Sequence, residues 1–353
     1  MSSRSRSKGR AGNIQLDSGK FEQARLRVGL SPKELFLKAK IAEKTGYCAA
    51  RGEKIRVATA RQLAKTLGID DLTDLMASEE VVLENDFGLP AEWEAVNSET
   101  DWISSSNGLQ YRVYRLSHRK LPNETARGKL FDLDNVAFER AGQFRDALVI
   151  RHAQVCRALN PSGYFLVNQA VVESGDKRFL WVVDTWPAGE SLSLLQQQDR
   201  IATQRIPSIM LHVACALHEL HQHNIVLRDL RPETIFYDIE TDRLSIVDCE
   251  LAKLLDGSPT VVLGELVESP YRAPECIGHK IDQTVDLYSW TQLLLYLWTG
   301  REPSMEAEPE ALATIGLPPT LLPLAQSCLS TDFRNRPESF TVLMPKIKKW
   351  VKR

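Results

Sequence analysis

Leu227-Arg228-Asp229-Leu230-Arg231-Pro232-Glu233-Thr234 is the stretch on which the fold of this chain turns. It follows an amphipathic run, Pro207 to His223, and precedes a β-like run that ends at Asp248. The pattern puts Asp229 in a loop and Asp248 at the end of the next strand. Two carboxylates so placed are the layout of a phosphoryl-transfer site, where positioning and charge neutralisation carry the chemistry. Arg231 adds a cation beside the first of them.

Downstream, four short motifs follow in order: Asp248-Cys249-Glu250, Ala273-Pro274-Glu275, Asp286-Leu287-Tyr288-Ser289-Trp290 and Arg336-Pro337. Val285 to Thr299 is a second amphipathic helix. Upstream, Gln110 to Leu116 alternates polar and apolar as a half-buried strand does, and Lys129 to Leu133 is another strand candidate. A helix is expected over about Val136 to Leu159. Tyr164 to Val172 and Phe179 to Asp184 are β-rich and joined by Ser174-Gly175-Asp176. Strands with one helix, then helices, describe an α+β unit.

In order and spacing, residues 101–353 resemble the protein kinase family, with an N-lobe over 101–184 and a C-lobe over 185–353. The loop 227–234 matches His-Arg-Asp-x-x-x-x-Asn, except that Leu227 holds the His position and Thr234 the Asn position. Asp248-Cys249-Glu250 stands where the family has Asp-Phe-Gly. The resemblance implies that Asp229 orients a substrate hydroxyl and accepts its proton, with Arg231 near the γ-phosphate. It implies that Asp248, with Thr234 in place of Asn, holds Mg²⁺ on ATP. It also implies structural roles for Arg228, Glu275, Asp286 and Arg336, with Arg336 paired to Glu275. Arg228 would bind a phosphorylated residue in the activation segment, Thr260 or Ser269.

The N-lobe carries fewer of the family's marks. There is no Gly-x-Gly-x-x-Gly run; Gly108 stands alone. Lys129 is the candidate ATP-anchoring lysine, with Lys120 the alternative. The helix should supply its glutamate partner, but His152 stands near that position, and Glu139 and Asp146 are the acids available. Val183-Asp184-Thr185-Trp186 resembles the interlobe hinge, which places Asp184 at the nucleotide. Glu250 replaces a glycine, and the exchange either adds a metal ligand or strains the turn.

The N-terminal part reads differently. Residues 1–17 form a basic arm with Arg4, Arg6, Lys8 and Arg10, too polar for a core and expected to be disordered. Four or five short helices are expected within 18–77. Phe21, Ala24 and Val28 mark the first, Ser31-Pro32-x-Glu34 is a capping-box start for the second, and Gly52 and Gly68 close the third and fourth. The stretches Leu30 to Leu35, Ala42 to Thr45, Arg51 to Lys54 and Ala64 to Ile69 resemble the Xre/lambda-repressor-like helix-turn-helix family. That resemblance implies binding of double-stranded DNA through Glu43, Lys44, Thr45, Tyr47 and Cys48, with Arg51 and Lys54 nearer phosphates, and dimers on paired half-sites. Gly46 departs from the pattern, standing where an apolar core residue is usual. Residues 78–100 are acidic and read as a linker, partly helical around Ala91 to Ala95.

Composition narrows the classes. The 353 residues are 43% hydrophobic and 25% charged, with a net charge of −2, so a nucleic-acid interface must be a local patch. The six cysteines are scattered without metal-site spacing, as for reduced thiols in a cytoplasmic protein. No apolar run approaches the ~20 residues of a membrane span. The expectation is a multidomain chain: an all-α helix-turn-helix domain, then an α+β bilobal protein-kinase-like domain. Three functions suit it: a DNA-binding regulator that phosphorylates Ser/Thr hydroxyls of a protein substrate, a pseudokinase nucleotide sensor or partner-recruiting scaffold, and a repressor whose second domain only mediates assembly.

Overall fold

The structure is a computed structural model that describes residues 13–16, 18–69, 75, 87–105, 108–134, 145–255, 268–277, 281–306, 309–314 and 316–352. The chain divides into two units, Met1–Asn85 and Asp86–Arg353. The basic side chains of residues 1–12, Glu139 and Thr260 lie outside the described residues, as does the side chain of Asp146.

In the first unit, β1 (Asn13–Gln15) pairs antiparallel with β2 (Lys54–Arg56), and the described helices are α1 (Ser18–Arg27), α2 (Pro32–Lys38), α3 (Glu43–Ala50) and α4 (Val57–Thr66). The end of the expected disordered arm is therefore a strand, because pairing with β2 satisfies its backbone and Leu16 beside it is buried. Lys54 likewise starts a strand rather than finishing a helix. Ser31 caps α2: Glu34 N–H donates to its Oγ (3.4 Å), and Ser31 N–H donates to Glu34 Oε2 (2.8 Å). Phe21, Leu35, Phe36, Ala49, Ala60 and Leu63 build the core. Val28 is exposed, so α1 buries only Phe21 and Ala24. Gly46 is buried on α3, and the Phe36 ring packs where its side chain would be.

The second unit opens with a six-stranded antiparallel sheet in the order β3-β5-β6-β8-β7. Its strands are β3 (Trp93–Ser98), β4 (Ile103–Ser104, paired with β5), β5 (Gln110–His118), β6 (Leu121–Asp132), β7 (Asn168–Glu173) and β8 (Phe179–Thr185). β3 corrects the linker expectation: residues 93–98 are an edge strand, not helix. Trp93 is buried on it while Glu94 faces solvent, a usual place for charge on a sheet edge. The sheet unit thus begins before residue 101. α5 (Arg145–Ala158) contacts β7 and falls within the helix expected from 136.

Helices then dominate. β9 (Glu190–Ser191) leads into α6 (Leu192–Gln197), and α7 (Ile206–Gln222) into β10 (Ile225–Val226). β11 (Ile235–Asp238) and β12 (Arg243–Ile246) form a hairpin, and β13 (Lys253–Leu254) returns to pair with β10. α8 (Thr284–Thr299) is buried from Thr284 to Leu297, with α9 (Leu322–Cys328) and α10 (Phe340–Val351) beyond it. An apolar core joins α7 to α8, and Trp290 Nε1 donates to the Met210 carbonyl across it (2.9 Å). The six cysteines are free thiols. Among the described residues no helix is long and apolar enough to cross a membrane.

Candidate active site

The loop 227–234 hangs on one buried carboxylate. Asp286, at the start of α8, accepts the N–H groups of Leu227 and Arg228, each at 2.9 Å, and bonds His221 Nε2 at 2.9 Å. Leu227 and Leu230 are anchored in the core, so the apolar residue at the family's His position packs rather than reaches out. Arg228 has φ 71°, a left-handed conformation that turns the chain between them. Its guanidinium is buried and donates to the carbonyls of Leu251 (3.4 Å) and Cys276 (3.1 Å). Burial holds it below the usual arginine range. Its bonds to these two carbonyls brace the segment's ends; among the described residues they do not include Ser269, and Thr260 lies outside the described residues. Arg336 forms a two-nitrogen ion pair with Glu275, the Nη2 bond at 3.0 Å.

Asp229 is 8% exposed. Arg272 Nη2 donates to its Oδ1 at 2.6 Å, and Arg231 Nε lies 3.3 Å from its Oδ2. Thr234 ends a 3-10 turn, and its hydroxyl donates to the Arg231 carbonyl at 3.0 Å.

Asp248 sits at φ 61° just past β12 and faces the sheet. Arg127 Nη2 reaches its Oδ1 at 2.8 Å, and Lys129 Nζ reaches the same oxygen at 3.1 Å. Lys129 also bonds Glu250 Oε1 at 2.5 Å and lies 3.8 Å from the centre of the Tyr111 ring. Arg127 and Lys129 share a face of β6 because side chains alternate along a strand. Gly128 between them lies under Leu116 and Trp181, where a Cβ would collide. Burial pushes the Asp248 carboxyl up, but Arg127 and Lys129 outweigh it and hold the group well below the usual carboxylate range. Burial pushes Lys129 down, and Asp248 and Glu250 outweigh that to raise it.

Among the described residues Lys129 finds its carboxylates in the Asp-Cys-Glu turn; Glu139 and the Asp146 side chain, the acids expected of the helix, lie outside them. The α5 position goes to His152, whose Nδ1 accepts the Cys249 N–H (3.0 Å) while Nε2 bonds Asp184 Oδ2 (3.1 Å). Asn168 Nδ2 holds the other Asp184 oxygen at 2.9 Å. The Asp184 side chain is fully buried in this network, which leaves its backbone for the nucleotide role the resemblance implied. Glu250 lies outside the left-handed region, so the missing glycine costs no strain. Lys120 lies in the exposed turn between β5 and β6.

A divalent metal does not fit this arrangement. Asp248 Oδ1 already carries two cations, and the Thr234 hydroxyl is used within its own turn. Among the described residues no cluster of three or more His, Cys, Asp or Glu side chains could hold an ion. Sequence reasoning missed Arg127, Arg272 and the pairing role of Glu250. Arg127 had a signal, its two-residue spacing from Lys129; Arg272 had none.

Residues 122–344, more than half the chain, match the family described as protein kinase domain. The chain belongs to that family. Over 222 residues this kinase domain is 27% identical to serine/threonine-protein kinase sgk-1 of Caenorhabditis elegans, covering 62% of the chain and 46% of that protein. Over 206 residues it is 29% identical to the phosphorylase b kinase gamma catalytic chain, liver/testis isoform, of Rattus norvegicus, covering 56% and 49%. Over 145 residues it is 33% identical to protein kinase 2 of Dictyostelium discoideum, covering 39% and 29%. The chain spans about half the length of these curated relatives or less. Kinase membership implies ATP and a divalent metal in general terms.

Proposed function

We propose that the chain transfers the γ-phosphoryl group of ATP to Ser or Thr hydroxyls of a protein, and that its N-terminal unit binds double-stranded DNA. The kinase reading is carried by the two fixed carboxylates: Asp229 on the loop before the β11–β12 hairpin, reached by Arg231 of its own loop and Arg272 from a separate segment, and Asp248 after it, reached by Arg127 and Lys129 of β6. Asp229 accepts the substrate hydroxyl proton once Arg272 releases it, and Arg231 keeps a positive charge beside it through the transfer. Lys129 holds nucleotide phosphate. ATP supplies the phosphoryl group when bound.

Incubation of the full chain with labelled ATP and a protein acceptor tests this. Asp229→Ala should lower incorporation by about 10²- to 10⁴-fold, the worth of a positioned base. Equal labelling in both proteins would remove Asp229 from the chemistry. One observation favours the nucleotide-sensing alternative: both carboxylates are already ion-paired. In that case the chain binds ATP and labels nothing.

Support for the DNA reading comes from α3. Glu43, Lys44 and Tyr47 are exposed on it, Thr45 and Cys48 are half-buried, and Arg51 follows at its end, 3.0 Å from Glu53. Its resemblance to the helix-turn-helix pattern would give Glu43, Lys44, Thr45, Tyr47 and Cys48 to the major groove, with Arg51 and Lys54 nearer the phosphates.

A further inference from the structure

Arg127 is a buried cation that the kinase reading leaves without a task. Its side chain is 6% exposed and ends on Asp248 Oδ1 at 2.8 Å. Lys129 ends on the same oxygen, and Glu250 closes the group through Lys129. Two cations and two carboxylates cancel, so the cluster is neutral before anything binds.

Two observations point to a ligand. Arg127 Nη1 is buried with no hydrogen-bond partner among the described residues. A guanidinium donor shut away from water without an acceptor is costly, and the shape of the fork suits a phosphate oxygen. The second concerns the ion. A divalent metal on Asp248 would face two full positive charges already bonded to its Oδ1, with no second oxygen offered by Thr234. Like charges at that separation repel, and burial removes the water that would screen them.

We propose that Arg127 binds nucleotide phosphate through its unpartnered Nη1 donor, at the place where a divalent ion would otherwise stand, so that this site accepts a nucleoside triphosphate without metal. The proposal rests on the reading that the site takes ATP. Arg127 brings a donor already oriented by Asp248 and a charge independent of pH. Lys129 beside it supplies a second contact to the same phosphate chain.

The test measures ATP affinity of the full chain by calorimetry and thermal shift, once in EDTA and once in Mg²⁺. Wild type should bind ATP in EDTA as well as in Mg²⁺, and adenosine should bind more weakly than ATP. Arg127→Gln should lose about 10- to 100-fold of the affinity in EDTA, the worth of one charge-assisted hydrogen bond. Arg127→Lys, which keeps the charge, should recover part of it. The wild-type comparison needs no variant, so a poorly folded Arg127→Gln does not blunt the test. Binding of wild type only in Mg²⁺ would overturn the proposal and leave the ATP reading standing. Binding by Arg127→Gln alone would make Arg127 a plug and overturn it too. No binding by either protein in either medium would remove the ATP reading and the proposal together.

Discussion

Glu250 and Asp248 show how single substitutions in a motif are read. By motif alone, glutamate for glycine looks like damage. In the fold its backbone is unstrained and its carboxylate holds Lys129 at 2.5 Å, buried on both sides. Restoring the family residue with Glu250→Gly should therefore destabilise the chain by about 3 kcal/mol, the low end for a buried pair that loses one partner, since Asp248 still faces Lys129. Urea denaturation measures this; a gain in stability would show the turn was strained after all. Asp248 gives a pH signature. Its folded pKa lies below the unfolded value of about 3.9. The unfolded chain then binds more protons as pH falls, so this stabilisation is complete above about pH 5 and is lost toward acid. In Arg127→Gln the folded pKa rises toward the unfolded one. Denaturation at pH 5, 4 and 3 should show a shallower acid decline than wild type, from a lower starting value.

Local patterns located most helices well, and contacts from elsewhere explain the exceptions. The capping box and the glycines with positive φ at Gly29, Gly52 and Gly68 bound α1 to α4 as their local chemistry dictates. Residues 93–98 went the other way. Their acidic composition said linker, yet pairing with β5 made them a strand. Gly46 illustrates the same dependence within α3. On propensity, Gly46→Ala should gain about 1 kcal/mol. An added Cβ would lie well inside 3.0 Å of the Phe36 ring, however, and overpacking of that kind costs about 1–3 kcal/mol. Thermal denaturation should show a lower midpoint, and Phe36→Leu in the same chain should restore part of it. A raised midpoint in the single variant would mean that the ring moves aside freely.

The two units invite separate tests in one intact protein. DNA retardation by the full chain should weaken in Lys44→Ala and Arg51→Ala. If Arg51 meets a phosphate, its loss should reduce the slope of log affinity against log salt by about 0.9, the release of one counterion. Unchanged retardation in both variants would move the DNA surface away from α3. Phosphoryl transfer by the same variants should be unaltered, because neither residue lies in the kinase unit.

The run Leu227 to Thr234, with Asp248, Ala273-Pro274-Glu275 and Asp286, was enough to read the kinase fold, because those motifs depend on order and spacing along the chain. Lys129 could also be picked out, since strand pattern and position are local properties. The partners of these groups could not. Arg127 with Asp248, Glu250 with Lys129 and Arg272 with Asp229 are separated by 121, 121 and 43 positions, and nothing in the linear text links them. Buried charges must be neutralised by whatever the fold brings within reach. Which cation meets which carboxylate was therefore settled only when the sheet, the Asp-Cys-Glu turn and the segment before Ala273 came together.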